Sequence, residues 1–165
     1  NALLLESGFH RDLGIMSIDV DGVDYWLLDA LESYTPRILI VEYNALFGKE
    51  RAITVPYSPS FSRRAAHYSE LYYGASLPAL AFAAARKGYS LVGTERAGVN
   101  AFFVRNDLLG TNVRTLSVEE AFTESHVRQS RNREGRLDFL RPEARYEVIK
   151  GLPVVNVETG ALEQL

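Results

Sequence analysis

The chain of 165 residues contains no cysteine. Disulfides and thiolate metal sites are thereby excluded, and the absence fits a cytoplasmic protein. No apolar run comes near the ~20 residues that a membrane-spanning helix needs. The opening residues Asn1-Ala2-Leu3-Leu4-Leu5 lack the basic flank and the cleavage site of a signal peptide. Charge of one sign is also lacking: the net value is −3, which gives no reason to expect a nucleic-acid or membrane partner. There is no Gly-x-Gly-x-Gly segment and no internal repeat. What the chain does have is apolar content, at 47%. That is the composition of a globular chain, and its length suffices for one domain with a real core.

The chain is organised around residues 15–28, IMSIDVDGVDYWLL. The short apolar run Ile15, Met16, Ile18 ends at Asp19, Asp21 and Gly22, and a helical pattern follows at once. This reads as a buried strand entering a turn. In an open α/β sheet, ligands bind outside the carboxyl ends of the strands, which is where Asp19 and Asp21 fall. A turn that needs Asp and Gly only for its geometry is the plainer alternative.

The rest alternates. Asn1 caps a helix that Gly8 stops, and a strand spans residues 15–18. A helix over residues 25–33 has Trp26, Leu27, Ala30 and Leu31 on one face. Pro36 precedes a second strand at 38–41, apolar without a break, as in a strand covered on both faces. Residues 45–73 read as a long irregular segment with Pro56 and Pro59. A loop of that length in a small domain is usually a lid or a binding loop, and its aromatics argue against disorder. An alanine-rich helix at 77–87 is closed by Gly88, and strands at 89–92 and 100–104 form an antiparallel pair at the sheet edge. Residues 110–165 form a more polar C-terminal extension with a helix near 118–128, and residues 153–157 read as one more short strand or as a segment that docks a further part of the domain. The predicted fold class is α/β: a partial doubly wound, mostly parallel sheet with an antiparallel C-terminal hairpin.

On the residues Ser17-Ile18-Asp19-Val20-Asp21-Gly22, the strand Arg37 to Asn44 and the pair Tyr89 to Val104, residues 1–109 resemble the C-terminal half of a class I, Rossmann-like S-adenosylmethionine-dependent methyltransferase of the FkbM-like kind. The resemblance implies methyl transfer from S-adenosylmethionine to a hydroxyl or amine of a small molecule or sugar. In that family a glycine-rich loop and an acid on the second strand hold the cofactor, and neither is found in this chain. The resemblance therefore implies a missing N-terminal half, in the same polypeptide or supplied by a partner chain or homo-oligomer. It leaves the cofactor-binding residues unassigned.

Candidate site residues follow from these placements. Strand ends of neighbouring strands lie about 5 Å apart, so Asp19, Glu42 and Asn44 converge if the two strands are adjacent. Oxygen ligands of this kind suit Mg²⁺ or Ca²⁺; the alternative is that Glu42 and Asn44 only cap the loop. The catalytic candidates are Asp19, Asp21 and His67. Of the three histidines, His67 is the one beside the tyrosine-rich segment, and its ordinary pKa suits a general base. Arg63, next to Arg64, is a candidate for holding an anionic group on the substrate. Tyr57, Tyr72 and Tyr73 are candidates for lining a sugar or ring pocket, or for anchoring the loop to the core. Asn100 completes the substrate-binding set. The basic residues of the extension are interleaved with Glu124, Glu134 and Asp138 and lack stacking aromatics, so they read as a solvated segment rather than a nucleic-acid footprint.

Two other readings stand beside this one. Asp19-Val20-Asp21-Gly22 is similar to the first motif of haloacid-dehalogenase phosphatases, with Asp19 as nucleophile and Asp21 as general acid. That family's later Lys and acidic pair have no counterparts in order here. The other reading is a methyltransferase-like module that binds a ligand or partner without catalysis.

Overall fold

The computed structural model describes residues 2–127 and 129–165; the expected cap at Asn1 and the end of the expected helix at Arg128 lie outside the described residues. In chain order the elements are α1 (Ala2–Glu6), β1 (Ile15–Ile18), α2 (Asp24–Asp29), β2 (Ile38–Glu42), β3 (Ile53–Thr54), α3 (Arg63–Ala66), α4 (Leu77–Arg86), β4 (Tyr89–Thr94), β5 (Asn100–Arg105), α5 (Val118–Ala121), α6 (Pro142–Ile149), β6 (Pro153–Asn156) and β7 (Leu162–Gln164). None of the described helices is long and apolar enough to cross a membrane.

The protein is mixed α/β, with a four-stranded mixed sheet in the order β1-β2-β5-β4 and a three-stranded antiparallel sheet in the order β3-β6-β7. In the larger sheet β1 runs parallel to β2, with Ile18 opposite Val41. The return strand β5 enters between β2 and β4 and runs against both. This corrects the expected mostly parallel sheet, because the described strands of this sheet form one parallel ladder and two antiparallel ones. The antiparallel pair of β4 and β5 lies at one edge of the sheet, as expected, with β4 outermost.

Burial alternates along the strands. Leu39 and Val41 of β2, Ala101 and Phe103 of β5, and Tyr89 and Leu91 of β4 are buried, while Ile38, Ile40 and Phe102 are only half-buried. The unbroken apolar run of β2 thus has one fully covered face, not two. That face packs on α4, whose Leu77, Ala79, Leu80, Ala83 and Ala84 are buried in the same core. Alanines let the helix approach the sheet closely, and Leu77 and Leu80 fill the space between. Ser76 starts α4 by accepting from the Ala79 amide at 3.2 Å, and its hydroxyl also accepts from the Ile53 amide at 3.0 Å, tying β3 to the helix start.

Helix α2 ends at Asp29, four residues before the expected end. The Lys87 ammonium donates to the carbonyls of Asp29 at 2.7 Å and Leu31 at 2.8 Å, satisfying acceptors that a helix end leaves open. The buried Tyr34 then turns the chain, donating to the carbonyl of Phe9 at 3.2 Å. Helix α5 likewise stops at Ala121, well short of the expected end, although its capping box of Ser117 and Glu120 is complete.

The largest departure concerns residues 45–73. This stretch is not wholly irregular: it carries a 3₁₀ turn at Ala45–Phe47, strand β3 and helix α3. Strand β3 pairs with β6, so residues from the C-terminal region complete it. Phe47, Ile53, Val55, Leu71 and Tyr72 form a second small core with Ile149 and Val154. The segment is a packed cover with its own apolar centre.

Candidate functional site

Residues 19–24 make a turn built around the carboxylate of Asp24. Its two oxygens accept the amides of Val20 at 2.8 Å and Gly22 at 3.0 Å, and the side chain is fully buried. Asp21 adopts a left-handed conformation with φ of 55°, a region that Asp tolerates better than most residues. Gly22 is required by close approach: a Cβ there would lie 2.2 Å from Cδ1 of Phe61. Phe61 belongs to the cover, so the turn and the cover touch. The Gly74 amide adds a second link, donating to the Gly22 carbonyl at 2.9 Å.

Because Ile18 and Val41 are in register, Asp19 and Glu42 come next on two adjacent parallel strands. Asp19, Asp24 and Glu42 each offer an oxygen, and these atoms lie within 4.8 Å of one another. Glu42 is 6% exposed, and its Oε2 is buried with no hydrogen-bond partner among the described residues. Burial pushes its carboxyl up to about 8; the charges of Asp19, Asp24 and Asp21 push the same way, and Arg63 opposes them. The Asp24 carboxyl is also raised, by burial first, against the backbone amides of Val20, Gly22 and Asp24 itself, which favour its ionised form. Asp19 is exposed and gives the group an opening to solvent.

Arg63 reaches this edge from α3. Its Nη1 lies 2.8 Å from Oδ1 of Asp21, and its guanidinium sits 4.1 Å from the centre of the Tyr73 ring. Its Nε donates to the Glu70 carbonyl. Burial raises the Tyr73 hydroxyl pKa, and the charge of Glu42 adds to it. Of the residues singled out from sequence, Asp19, Asp21, Glu42, Arg63 and Tyr73 are therefore brought together.

The others sit elsewhere or serve the fold. The Asn44 side chain is fully engaged: Oδ1 accepts from the Leu46 amide at 3.1 Å, and Nδ2 donates to the carbonyls of Leu71 at 2.9 Å and Tyr73 at 3.0 Å. It holds the cover, and Asp24 takes the third place in the acidic group. Tyr72 donates its hydroxyl to the Pro153 carbonyl. Tyr57 is 60% exposed, with its ring edge-on to Trp26. Asn100 stands opposite Glu42 in the β2–β5 register, but its amide donates to Glu95 at 3.1 Å. His67 follows α3, with Nδ1 2.8 Å from the Ser69 hydroxyl and its ring against Tyr68; burial and the nearby Arg133 lower its pKa.

Asp24 is the residue that sequence reasoning missed. Its position before an apolar helical pattern resembles an ordinary acidic helix start, and only the reversal of the turn at Asp21 and Gly22 sends it back toward β2. The carboxylates could hold a cation, and Arg63 with Tyr73 could hold an anionic or ring-bearing ligand. Compared with models of protein families, with curated proteins and with solved structures, the chain matches none.

Proposed function

We propose that this chain is the acceptor side of an S-adenosylmethionine-dependent methyltransferase acting on a hydroxyl or amine of a small molecule or glycan. The observation that carries the reading is the meeting of Asp19, Asp24 and Glu42 at the carboxyl ends of two adjacent parallel strands, the edge where α/β sheets bind ligands. The antiparallel hairpin of β4 and β5 supports it, as the resemblance implies such a pair for the last two strands.

The residues present fit one side of such a site and not the whole. No glycine-rich loop occurs in the sequence, whereas β1 pairs on one side only among the described residues. In this reading, further strands from the same polypeptide or a second chain extend the sheet at β1 and hold the cofactor. S-adenosylmethionine, when bound, supplies an activated methyl group. This chain positions the acceptor. Arg63, fixed by Asp21 and by the Tyr73 ring, orients an anionic or cyclic substrate. Asp19, exposed at the strand end, accepts the proton of the substrate hydroxyl. His67 is the alternative proton acceptor; with Nδ1 bound to Ser69, only Nε2 is left for that task. The cover excludes water.

The test is transfer of a labelled methyl group from S-adenosylmethionine by the full-length protein to a panel of glycans and small hydroxylated metabolites. Label on an acceptor is expected, and Asp19→Asn should cut the rate by about 10²-fold or more. Wild-type turnover in Asp19→Asn and in His67→Ala removes both from the chemistry. Failure to bind S-adenosylmethionine at all leaves the second reading, a non-catalytic binding module, which the absent glycine-rich loop favours.

A further inference from the structure

We propose that Asp19, Asp24 and Glu42 form a binding site for a hard divalent cation such as Ca²⁺. The site would bind whatever reaction the protein catalyses, so it does not rest on the methyl-transfer reading. Three carboxylates facing one another are not by themselves a site, and here a second observation points to a ligand. Oε2 of Glu42 is buried, has no hydrogen-bond partner among the described residues, and belongs to a residue only 6% exposed. An acceptor in that state costs free energy unless something meets it. Among the described residues, no cation fills the place. Arg63 is the cation acting on Glu42, but its guanidinium is bonded to Asp21 and to the Glu70 carbonyl and stacked on Tyr73.

The spacing fits a cation of this class. Ca²⁺ takes oxygen ligands at about 2.3–2.6 Å, so oxygens around it are roughly 3.3 to 5 Å apart; Mg²⁺, at about 2.0–2.1 Å, needs them within roughly 4.2 Å. The three oxygens here lie within 4.8 Å of one another, inside the span that oxygens around one Ca²⁺ cover. The arrangement also has an outer layer. The amides of Val20 and Gly22 hold both oxygens of Asp24, and such partners fix a ligand's direction. Asp19 is exposed and provides the way in, and water or a substrate oxygen would complete the coordination. Asn44, the amide expected from sequence to join the set, is excluded because both ends of its carboxamide are taken.

The experiment is calorimetric titration of the full chain, stripped with chelator, with CaCl₂ and separately with MgCl₂, alongside thermal melting. Expected are one bound divalent cation per chain and a melting temperature that rises and saturates with Ca²⁺. Asp19→Asn, exposed and harmless to the fold, should weaken Ca²⁺ binding by at least about 10-fold. Glu42→Gln should abolish it, while Asp21→Asn, outside the set, should leave it in place. No heat and no melting shift at millimolar Ca²⁺ or Mg²⁺ would overturn the site. So would wild-type affinity in Asp19→Asn, a result that stays readable even if Glu42→Gln fails to fold. Absence of methyl transfer with Ca²⁺ binding intact would count against the methyl-transfer reading alone.

Discussion

At the scale of single residues, Glu42 is where the fold works against itself. Its carboxyl is pushed from the ordinary 4.5 up to about 8, chiefly by burial. The folded protein therefore keeps a proton there that the unfolded chain has released. The folded state binds more protons between pH 4.5 and 8, so stability falls as pH rises through that window, by at most about 1.4 kcal/mol per pH unit. In chelator, Glu42→Gln should remove this contribution. The variant's stability relative to wild type should climb from pH 5 to pH 8 in urea titrations; a constant difference would show that Glu42 titrates normally. Two glycines offer a graded comparison. Gly22→Ala drives a methyl into the Phe61 ring, which can swing aside, and should cost about 1–3 kcal/mol. Gly98→Ala meets the backbone of Glu124 at 2.4 Å with φ of +70°. Nothing there can yield easily, so denaturation should find it the more damaging of the two.

At the scale of elements, β3 is only two residues long and depends on its partner. Val154 of β6 is fully buried against Ile53, Val55 and Tyr72. Val154→Ala should cost about 2 kcal/mol. It should also speed amide exchange in β3 while β2 keeps its protection. Equal loosening of both strands would mean that the two sheets unfold as one unit. This dependence explains what the sequence could reveal. β1 and β2 are legible because each is an apolar run closed by acids, and Ser76 with Gly88 brackets α4. β3 is illegible because Ile53-Thr54 has no pattern of its own, and its pairing lies about a hundred residues away. Asp19 and Glu42 could be placed by strand ends, and Arg63 suggested itself by charge. Asp24 could not be placed, because its role depends on a turn that doubles back, and Asn44 is an amide whose capping role is equally readable from its place after β2.

At the scale of the whole molecule, the C-terminal region is structural rather than appended. Between α5 and α6 the chain is largely exposed, Arg133 and Arg136 included. Beyond it, the buried Arg145 of α6 donates to the carbonyl of Ser125 at 2.9 Å, and β6 docks on β3. Trypsin should cut after Arg133 or Arg136, and the two pieces should still elute together under native conditions. Early separation would contradict the docking of β6.

That docking sets an order of events at the ribosome. The four strands of the larger sheet are complete once Arg105 has emerged, but Ile53 and Thr54 must wait for residues 155 and 156. At about 5–20 residues per second, the interval after β3 is made is roughly 5–20 s. For the second half of it, once Arg105 is made, the nascent chain carries Ile53, Val55 and Tyr72 uncovered beside a completed larger sheet. A chaperone following synthesis would find its handle in the middle of the polypeptide, and would be released only when the last strands arrive.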